Sequence, residues 1–253
     1  MAELGIWQLV NGEAHIKPLS MKLYRVVESQ EQVATTLITD SQEEQLLLEE
    51  LLEDSKPVQE SSLAERHYLI KTPFRYPPLK YGSRFGTVWE PALFYGSQTV
   101  ECALAEVAYY RFVFLSHTAD SAKLTKHHIQ SYHSSFYVNT QSDKAIQLNQ
   151  LPFIEHDEAL TSVDSYQHTQ QLGKAMRDSE VEMFSFKSAR LDNGLNGAVY
   201  HHQAIKSAKP NRLESWQCLT QEERVVFHNP ISATSFEFSK SEYLKDGSFP
   251  LIG

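Results

Sequence analysis

Helices and short strands that alternate without the regular rhythm of a parallel βαβ chain predict an α+β fold for this sequence. Three observations carry that reading. Apolar residues recur at three and four positions around 100–110 and again around 166–178, which is helical spacing. β-Branched and aromatic residues cluster in short runs at 23–27, 134–140 and 181–188, which is strand composition. No glycine-rich strand-to-helix fingerprint is present, so neither a Rossmann nor a P-loop nucleotide site is indicated.

Taken in order, residues 6–16 read as a short amphipathic or extended lead-in, and 23–27 (L-Y-R-V-V) as a strand interrupted by Arg25. An arginine in an apolar strand is costly unless it is paired or bound to an anion, so Arg25 is a structural ion pair or an anion-site residue. Ser41-Gln-Glu-Glu44 fits a capping box and opens a leucine-rich helix to about Glu53, ended by Lys56-Pro57. The wide apolar face of Leu46, Leu47, Leu48, Leu51 and Leu52 would suit packing on the core or a homodimer contact. Residues 55–62 have loop composition.

The segment 71–86 is rich in proline, aromatic and basic residues and is expected to be a loop. It gathers Arg75, Lys80 and Arg84 in an acidic chain, which suits a diphosphate ligand and equally a solvated basic loop. A strand over 91–97 follows, then a helix from near Ser97 with Val100, Ala103, Leu104, Val107 and Tyr110 as its buried stripe. Ser97 would cap it, and Glu101 suits its positive end. Glu106 falls at the stripe's edge, where it either lies partly desolvated against packed structure or pairs with a surface lysine.

Beyond this helix come a strand over 134–140, loop around 151–157, a helix over 166–178 carried by Leu172, Ala175 and Met176, and a strand over 181–188. Phe184, Phe186 and Ser188 share one face of that strand. Gly194 and Gly197 mark a turn, 198–205 resumes a strand, and further strands lie around 224–227 and 235–238. With no linker and no internal repeat, residues 1–253 are expected to form a single domain, with 1–60 packed on it as an amino-terminal extension.

Composition narrows the function classes. Hydrophobic residues at 41% and charged residues at 22% are ordinary for a globular chain. A net charge of −9 argues against nonspecific nucleic-acid binding, which needs clustered Lys and Arg. Cys102 and Cys218 form no metal or redox motif; the eleven histidines include the adjacent pairs His127-His128 and His201-His202, and no HExxH occurs, so no metal is expected. G-x-S-x-G is absent, which disfavours a serine hydrolase elbow. Without a signal peptide or a membrane-length apolar run, the expectation is a cytoplasmic protein.

The densest chemistry lies between Arg84 and Arg111. Arg84, Tyr95 and Glu106 stand eleven residues apart in turn, on a loop, a strand end and a helix that so short a span forces together. Ser188 follows in F-S-F-K-S-A-R. With Arg25 in L-Y-R-V, Arg84 in G-S-R-F, Tyr95 ahead of Glu106 in A-L-A-E, and Ser188 in S-A-R, the chain resembles the RES-domain family, named for its arginine, glutamate and serine. The resemblance implies an ADP-ribosyltransferase-like core of short mixed strands flanked by helices, and degradation of NAD+ without a metal. It implies that Glu106 stabilises the oxocarbenium-like ribose, with Arg84 and Ser188 as the other catalytic residues. Arg84 and Arg25 would hold the phosphates, Tyr95 the nicotinamide end, and Ser188 the nicotinamide or its ribose. The acceptor would be inorganic phosphate (an NAD+ phosphorylase), water (a glycohydrolase) or a protein side chain (an ADP-ribosyltransferase), and the alternative is a binding module that kept the fold. Family members also act as toxins restrained by an Xre-type antitoxin with a helix-turn-helix region. This chain departs from the compact members by its leucine-rich insertion between Arg25 and Arg84.

Overall fold

The computed structural model describes residues 4–29, 41, 43–44, 47–48, 50–51, 57, 61–78, 80–119 and 128–250. In chain order the helices are α1 (Ile6–Leu9), α2 (Tyr68–Arg75), α3 (Val100–Ala119), α4 (Asp157–Leu160) and α5 (Gln167–Asp178). The strands are β1 (Lys17–Glu28), β2 (Phe94–Ser97), β3 (His128–Gln147), β4 (Met183–Lys187), β5 (Leu195–Val199), β6 (Asn211–Gln221), β7 (Arg224–Asn229) and β8 (Thr234–Ser239). The α+β class is borne out.

Strands run in the order β1-β2-β5-β4-β3-β6-β7-β8, and a further β1–β3 ladder closes the first five on themselves. Only the β3–β4 pairing is parallel among the described strands. Closure brings β1 close over the β2–β5 pair, where Gly96 stands opposite Gly197. A Cβ on Gly96 would come within 2.9 Å of the Tyr24 carbonyl, a backbone contact that favours glycine there, while one on Gly197 would meet the side-chain ends of Leu23 and Met21 at 2.7 and 2.9 Å. Gly197 thus lies within a strand and not in the expected turn, and the chain after Val199 becomes a 3-10 turn at His202–Ala204 instead of continuing as strand.

β3 extends far beyond the expected 134–140, and β6 was not foreseen. Both carry many polar side chains, which mask a strand from any hydropathy pattern. Several of the buried ones are satisfied laterally: Trp216 Nε1 donates to Ser135 Oγ at 2.9 Å, and Thr140 Oγ1 to the Met21 carbonyl at 3.2 Å.

Three apolar clusters follow from this layout. One, with Leu23, Phe94, Phe136 and Met183, lies among the closed strands, where Ile70 of α2 also packs. A second sets Leu172 and Met176 of α5, with Ile6 and Trp7 of α1, against Phe184, Phe186 and Tyr200. The third packs Leu104, Ala108 and Phe112 of α3 on Trp216, Val225, Phe227 and Phe238. Burying α3 on this side leaves Tyr110 62% exposed, not in the buried stripe. Thr99 caps the helix, its Oγ1 accepting from the Cys102 amide at 3.1 Å, while the expected cap, Ser97, ends β2.

Two further expectations change. Residues 68–75 are helical despite Pro73, because His67 Nδ1 accepts from the Leu69 amide and fully buried Ile70 anchors the turn, while the proline sits two residues from the end, where little helix remains to disrupt. The expected loop at 151–157 is a 3-10 turn at Phe153–His156 running into α4. In the leucine-rich segment Ser41 Oγ accepts from the Glu44 amide at 3.1 Å, as a capping box requires, whereas Leu46 and Leu52 lie outside the described residues.

After β8 the chain crosses α3. Tyr243 Oη donates to the Ala105 carbonyl at 3.1 Å, Tyr109 Oη to the Pro250 carbonyl at 2.7 Å, and Phe249 stacks on Phe112. Between these contacts Lys245 and Ser248 exchange backbone hydrogen bonds around Asp246 and Gly247, both at positive φ. This tight turn directs Lys245 onto Asp164 as an ion pair.

His133, on β3, is buried with its Nε2 against Ser131 Oγ, its ring against Phe227 and its Nδ1 without a partner. Burial first, then the nearby Arg111 charge, lowers its pKa from 6.5 to about 4. Between those values the unfolded chain binds a proton that the folded one does not, so His133 lowers stability as pH falls through this window. Urea midpoints measured from pH 7 to pH 4 should show the wild type losing on the order of 2 kcal/mol more than His133→Gln.

Candidate active site

Glu106 leaves α3 toward the ends of β2, β4 and β5. Ser188 Oγ donates to its Oε1 at 2.8 Å and Asn196 Nδ2 to the same oxygen at 2.7 Å. Among the described residues no donor takes Oε2. The carboxylate is therefore fixed by one oxygen and presents the other, and it pairs with no lysine.

Each donor is itself oriented. Ser97 Oγ, at 2.6 Å, and the Cys102 thiol, at 3.3 Å, both donate to Asn196 Oδ1, which turns the amide nitrogen toward Glu106. The β2–β5 register sets Ser97 beside Asn196. Burial, then the Glu106 charge, pushes the Cys102 thiol up to about 11, so it remains a protonated donor. Ser188, one residue beyond β4, accepts from the Arg190 amide at 3.0 Å, leaving its own proton for Glu106.

Arg84 sits at the tip of a turn closed by reciprocal Ser83–Gly86 backbone bonds. Its neighbour Phe85 is fully buried against Phe184 and Phe186, which turns Arg84 outward. Tyr95 fastens this turn: its hydroxyl lies 2.9 Å from Ser83 Oγ and accepts from the Phe85 amide at 3.1 Å. Burial raises the Tyr95 pKa to about 12. From the far side Gln170 Nε2 donates to the Tyr81 and Ser83 carbonyls, and Gly173 lets α5 come so close that an added Cβ would stand 2.1 Å from the Phe85 carbonyl. Arg84 Nη1 donates to the Ser162 carbonyl at 2.7 Å and the Leu160 carbonyl at 3.2 Å, and the guanidinium lies 5.0 Å above the Tyr166 ring.

Tyr166 is the ring on which Arg84 lies, and burial raises its pKa while the Arg84 charge opposes that rise. Arg190 rests 3.5 Å above the Tyr109 ring. Of the sequence-derived candidates, Glu106 and Ser188 are in direct contact, while Arg84 lies in the turn that Tyr95 of β2 fastens.

Arg25 is placed elsewhere. It lies 4.8 Å above the Phe94 ring, on the face of β2 opposite Tyr95, and has no ion pair among the described residues. Burial lowers its pKa to about 10. Arg75 donates to the Pro57 carbonyl and Lys80 lies over Tyr81, so neither is drawn to Glu106. Asn196, Tyr166 and Arg190 were not foreseen as site residues. Among the described residues no group of three His, Cys, Asp or Glu could hold a metal, and no helix is long and apolar enough to cross a membrane.

A family model described as RES domain matches residues 60–225, a span that holds Arg84, Tyr95, Glu106, Ser188, Arg190 and Asn196 but not Arg25. No curated protein matches. Among solved structures, a chain of the M. tuberculosis MbcT-MbcA toxin-antitoxin complex is similar at 10% identity and a TM-score of 0.48, over 84% of this chain and 91% of that one.

Tyr95→Phe keeps the ring and removes the hydroxyl that fastens the Arg84 turn. It should cost about 1–2 kcal/mol in a urea melt and speed hydrogen exchange at the Phe85 amide.

Proposed function

The chain belongs to the RES-domain family, and from that premise we propose that it is an enzyme that cleaves the nicotinamide–ribose bond of NAD+. The observation that carries the proposal is the Glu106 carboxylate, held through Oε1 by two neutral donors, with Oε2 taking no donor among the described residues.

The nicotinamide of NAD+ is cationic, so its departure needs little protonation. The C–N bond breaks with its electron pair going to the nicotinamide nitrogen, and positive charge develops on the ribose. A fixed carboxylate beside that charge stabilises it without reorganising, the condition under which electrostatic stabilisation contributes most. Glu106 Oε2 takes this role. Ser188 and Asn196 hold the carboxylate at its working angle, and Ser188 can also meet the nicotinamide or its ribose. Arg84 holds phosphate oxygens with the donors its Nη1 contacts leave over, and Tyr95 sets the Arg84 turn and borders the nicotinamide end, whereas Arg25, over Phe94 on the other face of β2, stands apart from this group. Inorganic phosphate as acceptor yields ADP-ribose 1″-phosphate, and water yields ADP-ribose.

On the same family premise the fold is ADP-ribosyltransferase-like, the chain forms one domain over residues 1–253, and it acts in the cytoplasm as a toxin restrained by an Xre-type antitoxin. The leucine-rich segment would serve packing or a homodimer contact.

Incubating the protein with NAD+, with and without phosphate, tests the proposal. Nicotinamide release with ADP-ribose 1″-phosphate supports a phosphorylase, release with ADP-ribose a glycohydrolase, and transfer to added protein an ADP-ribosyltransferase; unconsumed NAD+ rejects all three. Glu106→Gln should lower nicotinamide release at least about 100-fold with an unchanged melting temperature, because an amide keeps the shape but loses the charge.

A further inference from the structure

We propose that the Arg190 guanidinium binds a phosphate of the dinucleotide's diphosphate, in company with Arg84. This rests on the NAD+ reading above and adds to it a residue to which the sequence assigned no role.

A half-buried arginine ordinarily spends its donors on protein acceptors. Arg66 donates to the Ile205 and Ser207 carbonyls, Arg111 to Thr220 Oγ1, and Arg177 to the Pro91 carbonyl. The Arg190 side chain makes no hydrogen bond and no ion pair among the described residues; its contact is the face of Tyr109. Stacking occupies the flat face of a guanidinium and leaves its five in-plane N–H groups directed outward. The platform is rigid, since Tyr109 is buried and its hydroxyl is tied to the Pro250 carbonyl. The backbone is fixed as well, because the Arg190 amide donates to Ser188 Oγ, which in turn donates to Glu106. An unspent planar fork is thus held two residues from the partner of the key carboxylate.

Charge favours phosphate as the occupant. Arg190 adds a positive charge that no acidic side chain neutralises among the described residues, and its fork matches the spacing of phosphate oxygens. A diphosphate presents two such groups, one for each arginine. Arg25, also without a hydrogen bond among the described residues, faces the other side of β2 and does not compete for this place.

Calorimetric titration of the full chain with ADP-ribose and with nicotinamide riboside, which has no phosphate, tests the assignment. Arg190→Gln should weaken ADP-ribose binding about tenfold or more, reduce the salt dependence of that binding, and leave nicotinamide riboside unaffected. Arg190→Lys, which keeps the charge and the stem over Tyr109, should recover part of the loss, and if R190Q no longer melts cooperatively R190K carries the same comparison alone. Unchanged ADP-ribose binding in the variants, or equal loss of both probes, overturns the assignment while leaving the NAD+ reading intact. A wild-type protein that binds neither probe overturns both.

Discussion

Everything in this site depends on how one carboxylate is held. Glu106 receives two hydrogen bonds on a single oxygen, from a serine just beyond β4 and an asparagine in β5, each fixed by further donors. Neutral donors hold its geometry without cancelling its charge, which a lysine partner would do. The fold supplies this arrangement through the narrow β2–β5 pair, whose facing glycines let β1 cross closely and whose register sets Ser97 beside Asn196. A side chain at Gly96 would press on the β1 backbone at Tyr24 and disturb the network from behind.

The second requirement is the position of Arg84. A four-residue turn would be pliable by itself, but here it is gripped from three directions: the Tyr95 hydroxyl, the buried Phe85 ring, and the Gln170 side chain of α5. Arg84 is thereby carried on packed structure although its residues belong to a connection between elements. Tyr95 emerges as a residue whose hydroxyl is spent on the protein, so its influence on a ligand passes largely through the turn it secures.

What could be read from the sequence follows from chain distance. Arg84, Tyr95 and Glu106 lie on a contiguous turn, strand and helix, so their proximity was legible, and Ser188 was reached through the family pattern. Asn196, in G-L-N-G, shows neither periodicity nor charge, and only the pairing of β5 with β2, about a hundred residues earlier in the chain, gives it meaning. Tyr166 and Arg190 were hidden for the same reason. In the fold, the helices at 100–119 and 167–178 announced themselves by spacing, whereas β3 and β6 did not, because their buried serines and threonine are satisfied by neighbours that no local window contains. Proline at 73 misled because a helix tolerates its loss of one bond near a terminus when tertiary packing anchors the rest.

The tight turn at residues 245–248 lies beyond the span matched by the family model, as does β1. Through Lys245 it reaches Asp164, whose neighbour Ser162 holds Arg84 by its carbonyl, while Tyr243 and Pro250 on either side are bonded to the helix that bears Glu106. The segment after β8 therefore joins the helix that bears Glu106 to the stretch that holds Arg84, through contacts made outside the span that the family model matches.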